Sequence, residues 1–275
     1  MPIAAKDIAT FPDTQDDFDL ELFVHRSLTA SGFQSEHAGT YSDPVTGRPR
    51  QFDVRARRFF PRTRWQILLA VQCEKLSTDF PLWVSRVPRP IQESYHEVIR
   101  SWERRETGED FVEPLRWERG PELYPENGLV GKKIAQVRDA AAAEGIGDDG
   151  SYGEWSEALM SAADLVREGI LAHRRHAVSE YFTLVLPVLV VSDDSLWVVD
   201  YTESGRRARS ALPVEEAEVY VGREYELLAG RRYQVSHLHL FTRSGFTSFL
   251  STLSAPGAVL LERMFQFTTL RTGRS

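Results

Sequence analysis

Asp53, Gln72 and Glu74 are the residues whose types and spacing point most directly to chemistry. Asp53 sits in the run RQFDVRA. Nineteen residues on comes VQCEK, which carries Gln72, Cys73 and Glu74. Residues two apart in a strand share a face, so Gln72 and Glu74 point one way and Cys73 the other. Paired as a hairpin, the two runs set Asp53 across from Gln72 and Glu74. Glu21, in LELFVHRSLTASGF, precedes them on a helix. Four oxygen-bearing side chains then converge on one end of a sheet. Oxygen donors suit hard cations, Mg2+ or Mn2+. Such an ion, bridged to a phosphate, activates water and stabilises the leaving oxygen. Each residue also has a plainer reading. Asp53 can be a strand-end acid paired with a neighbouring arginine, Gln72 a hydrogen-bonding partner within the sheet, and Glu21 a helix-surface acid. Cys73 reads as a small buried apolar residue.

The basic residues near this hairpin form a second signal. Of the 33 lysines and arginines, 29 are arginine, and Arg48, Arg50, Arg55, Arg57, Arg58, Arg62 and Arg64 fall within 17 residues. A local basic patch on an acidic chain still meets phosphate, so Arg48, Arg50, Arg55, Arg57 and Arg58 are candidates for contacting DNA. The competing reading is a set of solvated strand edges and salt bridges. The chain as a whole, with a net charge of −7, is not a general nucleic-acid coat.

These residues need elements to hold them. From Asp16 apolar residues recur at three- and four-residue steps, which predicts a helix ending near Ser31-Gly32. Strands are predicted at 34–42, 50–60, 65–73 and 82–87. The third, WQILLAVQC, is apolar enough to be buried on both faces. Residues 88–150 read as an insert, with a short helix near 91–105, an irregular stretch and a helix near 129–144. Glycines at 145, 147, 150 and 153 predict a break, followed by a long helix over 154–177. Strands then follow at 182–191, 195–201, 218–221 and 233–241, a helix at 244–253 and a short strand at 259–267. Residues 1–15 read as a loose leader. The order predicts one mixed α/β domain over 1–275 with 88–150 inserted.

At this level the remaining motifs are weaker. His237 and His239 share a strand face and offer two metal ligands without an evident third. His173 and His176 lie three apart on a helix beside Arg174 and Arg175. Neither a zinc-protease helix, a phosphate-binding loop nor a nucleophile elbow is present. One cysteine excludes an internal disulfide and a four-cysteine zinc site. No apolar run is long enough for a transmembrane helix, and no signal-peptide core is seen, so the expected compartment is the cytoplasm.

The helix, the strand with FDVRA and the strand with VQCEK resemble the PD-(D/E)xK nuclease superfamily, the restriction-endonuclease-like fold. The resemblance covers residues 16–87, with 154–201 as the second helix and later strands. It implies a mixed central sheet flanked by helices and a Mg2+- or Mn2+-dependent endonuclease. Asp53, Gln72 and Glu21 would be metal ligands, and Glu74 would orient or deprotonate the attacking water. Gln72 stands at the position of the acidic ligand and Glu74 at that of the lysine. Some members carry Gln at the first of these and some carry Glu at the second. An alternative register makes Glu74 the ligand and places Leu76 at the lysine position. The two departures open a second reading, a catalytically degenerate nuclease-fold module that binds nucleic acid. A third is a subunit of a larger bacterial assembly that meets a protein partner through 88–150.

Overall fold

A computed structural model describes residues 17–43, 46–60, 64–104, 107–118, 123–136, 152–170, 172–175 and 180–254. The expected leader, most of the glycine-bearing break, His176 and the strand at 259–267 lie outside the described residues. The chain is mixed α/β. Helix α1 (Phe18–Ala30) is followed by β1 (Gln34–Ser42), β2 (Pro49–Phe60), β3 (Trp65–Glu74) and β4 (Leu82–Pro88). Next come β5 (Tyr95–Arg104), β6 (Glu109–Glu118) and β7 (Leu129–Gln136). Helices α2 (Tyr152–Ile170) and α3 (Ala172–Arg175) lead to β8 (Glu180–Val191) and β9 (Leu196–Asp200). The described part closes with β10 (Leu212–Pro213), β11 (Glu216–Glu226), β12 (Arg232–Thr242) and α4 (Arg243–Ser254).

The twelve strands among the described residues join one sheet in the order β1-β2-β3-β8-β12-β11-β7-β4-β9-β10, with the β5–β6 hairpin attached to β8. β1, β2 and β3 pair antiparallel, and β3 pairs in parallel with β8. A parallel neighbour needs a crossover, and α2 supplies it. Alternation along β3 sorts its side chains between two layers. Ile67, Leu69, Val71 and Cys73 pack with Leu20, Val24 and Leu28 of α1 and with Phe246 and Leu250 of α4. Leu68 and Ala70 pack with Leu159, Ala162 and Val166 of α2.

The insert corrects the expectation of a helix over 91–105 and, over 129–136, of the helix near 129–144, whose residues 137–144 lie outside the described residues. One 3-10 turn spans Ile91–Glu93, and then β5 and β7 are strands; β6 was not anticipated. The charges of β5, which resemble a helix's polar face, are satisfied across strands. Arg100 pairs with Glu113 at 2.8 Å and also with Glu180, and Arg116 pairs with Glu97 at 3.2 Å. Such contacts depend on partners distant in sequence, so local periodicity cannot report them. Pro114 is tolerated in β6 because β6 pairs only with β5. The long helix expected over 154–177 starts at Tyr152, so Gly153 lies inside it, and its described residues are helical over Tyr152–Ile170 and Ala172–Arg175.

β7 fits between β4 and β11 because Gly131 has no side chain. A Cβ there would stand 2.7 Å from both Val219 Cγ2 and Val84 Cγ1. Gly131→Ala is therefore expected to destabilise the protein by about 1–3 kcal/mol through overpacking. Urea unfolding measures this, and an unchanged midpoint would place residue 131 outside the sheet.

Candidate active site

The residues singled out by spacing meet at the end of the β2–β3 hairpin. Strand pairing is regular from Phe60↔Trp65 to Val54↔Val71. Beyond it a side chain takes over: Asp53 Oδ2 accepts the Cys73 N–H at 2.7 Å. Gln72 and Glu74 are half-buried and alternate with Cys73, which is 1% exposed in the α1 layer. Burial, reinforced by the Asp53 charge, pushes the Cys73 thiol well above its usual range.

The first turn of α1 approaches the same end. Asp17 precedes the helix, and its backbone carbonyl accepts the N–H groups of Leu20 and Glu21, both at 2.9 Å. Its carboxylate accepts the Lys75 N–H, which ties the helix start to the exit of β3. Lys75 Nζ reaches Asp19 at 3.1 Å. Glu21 meets His37 of β1, with Nε2 to Oε2 at 2.6 Å. Glu21 thus stands near Asp53 while bound to a partner of its own.

Asp53 is the electrostatic centre. Burial pushes its carboxyl up to about 7, the Cys73 N–H opposes this, and Glu21, Glu157 and Asp17 raise it further. Glu21 and Glu157 come from helices on opposite faces of the sheet, so Asp53 feels negative charge from both layers. A carboxyl in this range carries or gives up a proton at neutral pH, as a general acid or base must. The same surplus of negative charge and the oxygen-only donors Asp53, Gln72 and Glu74 fit a hard divalent cation in kind. Among the described residues, no group of three or more His, Cys, Asp or Glu is arranged to hold a metal ion.

Glu157 and Asp17 are the contributors that sequence spacing missed. Asp17 had a local signal, an acid immediately before a helix. Glu157 had none, because it meets Asp53 only through the packing of α2 on the sheet.

The five candidate arginines do not share one surface. Arg48 is exposed. Arg50 pairs with the buried Asp43. Arg55 contacts Asp164 of α2 at 2.7 Å and Ser161 Oγ at 2.9 Å, with its guanidinium over the Tyr41 and Phe52 rings. Arg57 contacts Glu168 at 2.8 Å. Arg58 points to the other layer and donates to the carbonyls of Ser31 and Leu253 at 3.1 and 3.2 Å, which caps the ends of α1 and α4. The arrangement is that of β2 arginines fastening helices to both faces of the sheet.

The raised Asp53 carboxyl makes a stability prediction. Between the ordinary value of 3.8 and about 7 the folded state holds a proton that the unfolded state has released. Stability from this group is therefore complete below pH 4 and is lost as pH rises through 7, a loss of roughly 4 kcal/mol at most. Asp53→Asn keeps an acceptor for the Cys73 N–H. Without divalent cations it should stabilise the protein at about pH 8 and change little at about pH 4. Denaturant unfolding at both pH values checks this; equal effects would mean an ordinary carboxylate.

Compared with known protein families, with curated proteins and with solved structures, the chain gives no match.

Proposed function

We propose that the chain is a divalent-cation-dependent nuclease that hydrolyses phosphodiester bonds in DNA. The observation that carries this reading is Asp53, a half-buried carboxyl at a sheet end that feels the negative charge of Glu21 and Asp17 from one side and of Glu157 from the other. The order of helix, three antiparallel strands, crossover helix and parallel strand supports it, as does the mixed sheet flanked by helices. Asp53 and Gln72 would hold Mg2+ or Mn2+, with Glu21 acting through water. The ion would supply charge neutralisation at the phosphate and a more acidic bound water. Glu74 would accept the proton of the attacking water, in place of the lysine that the resemblance implies. Arg48, exposed toward the β1–β2 turn, is the arginine best placed to reach phosphate, whereas Arg50 is paired with Asp43.

One observation favours a second reading, the catalytically degenerate module. Arg55, Arg57 and Arg58 are spent on internal contacts, which leaves less positive surface for a substrate. Under that reading the protein binds nucleic acid or a protein partner through the inserted strands without cleaving.

Two measurements separate the readings. Mn2+ or Mg2+ should raise the melting temperature by mass action, and Asp53→Asn should abolish the shift. Plasmid and single-stranded DNA should be cleaved with Mn2+, and Glu74→Gln should lower the rate by about 10²-fold or more. No cleavage with any divalent metal by a folded wild-type protein would leave only the binding module. A cation shift that survives Asp53→Asn would remove the site itself.

A further inference from the structure

Helix α1 and strand β1 meet along a polar seam. Glu21, His25 and Thr29 recur at four-residue steps, so they lie on one stripe of the helix. Ser35 and His37, two apart on β1, share a face. Ser35 Oγ meets Thr29 Oγ1 and His25 Nδ1, both at 2.9 Å. At the other end of the seam His37 Nε2 meets Glu21 Oε2 at 2.6 Å. An ionised carboxylate only accepts, so the ring N–H donates. Phe18 and His25 stand about two turns apart on α1. The His37 ring centroid is 5.5 Å from that of Phe18 and 5.9 Å from that of His25, so the imidazole is held between them.

The two ends of the seam differ in kind. Ser35, His25 and Thr29 already fasten α1 to β1 without a carboxylate. Glu21 adds one, with a side chain only 19% exposed, and its charge raises the Asp53 carboxyl. A seam alone has no need of a negative charge at that rim, where Asp17 and Asp53 also stand. Lys75, which arrives at the same rim, pairs with Asp19 instead. His37 is therefore the group that holds the Glu21 carboxylate. It takes Oε2 and leaves Oε1 without a hydrogen-bond partner among the described residues.

We infer that His37 is a positioning residue for Glu21: it holds Oε2 and so fixes Oε1 for the water of a divalent cation at Asp53. The inference rests on the nuclease reading and names a residue that this reading does not use. A glutamate left to itself must give up rotamer freedom when it engages a ligand, and that loss weakens binding. The His37 N–H removes the freedom beforehand, and Phe18 and His25 fix the ring that carries it. Hydrogen bonds to carboxylates at metal sites act in this way, and losing one costs roughly 10–100-fold in metal affinity. His37 itself stays off the cation, because its Nε2 is occupied by Glu21.

Mn2+ binding by the intact protein, followed by calorimetry, tests it. His37→Leu keeps an apolar side chain between Phe18 and His25 and removes the donor, and its Kd for Mn2+ should rise about 10–100-fold. His37→Gln places an amide N–H near the position of the ring N–H and should keep the Kd close to that of the wild type. Glu21→Gln should weaken binding to a like extent, and adding His37→Leu to it should cost nothing more, because His37 acts through Glu21. Melting temperatures without metal read the structural cost separately. Should His37→Leu fail to fold, Mg2+ titration of the wild type still decides: the His37 ring nitrogens should shift in the NMR spectrum and those of His239 should not. A Kd unchanged by His37→Leu, a loss that His37→Gln shares or that persists beside Glu21→Gln, or His37 nitrogens unmoved by bound Mg2+ overturns the inference and leaves the metal site standing. No Mn2+ binding by the wild type, or binding that survives Asp53→Asn, removes the site and the inference with it.

Discussion

Ten consecutive residue pairs join β3 to β8 in parallel, from Trp65↔Phe182 to Glu74↔Val191. The rest of the molecule follows from this contact. A parallel pair cannot be closed by a turn, so a long connection must leave one end of the sheet and return to the other. Both strands are apolar on both faces, so each face must be covered. α1 and α4 cover one, and α2 covers the other. Residues that end β3, Gln72 and Glu74, are thereby held at a rim where α1, α2 and β2 all arrive. The acidic environment of Asp53 follows from that convergence.

The types of the core elements were legible because their signals are local. Alternation in RQFDVRARRFF and the continuous apolar run from Trp65 to Cys73 both describe strands that the structure contains. The stripe of Leu159, Ala163, Val166 and Ile170 describes α2. The insert was illegible for the opposite reason. Tyr95, Val98 and Ile99 are strand residues, but the charges between them read as helical until their partners on β6 and β8 are known. The site divides in the same way. Asp53 opposite Gln72 follows from a hairpin, whereas Glu157 beside Asp53 follows from a contact more than 100 residues apart in sequence.

Several buried polar groups sit in surroundings that do not match them. At the rim, Asp53 lies among acids that make its charged form unfavourable. Where β5 and β12 diverge along β8, His96 and His237 carry nitrogens without a hydrogen-bond partner among the described residues. Other interior polar groups are matched in part, although Tyr41 Oη, Gln66 Oε1 and Ser101 Oγ also lack a hydrogen-bond partner. Gln66 donates to Thr183 Oγ1 at 2.7 Å, and Asp200 accepts from Arg86 at 2.8 Å and from Arg209. Natural sequences tolerate such mismatches where function repays them.

The separation of β3 from β8 in sequence also bears on how the protein is made. The apolar run ending at Val71 leaves the ribosome long before Val191 exists to pair with it. At roughly 5–20 residues per second, that interval lasts on the order of ten seconds. During this time β2 covers one edge of β3, and the other edge is open. α2, which shields Leu68 and Ala70, is synthesised only shortly before β8. The nascent chain thus presents a hydrophobic strand edge while roughly 120 further residues are made, a template for unwanted pairing that only β8 removes.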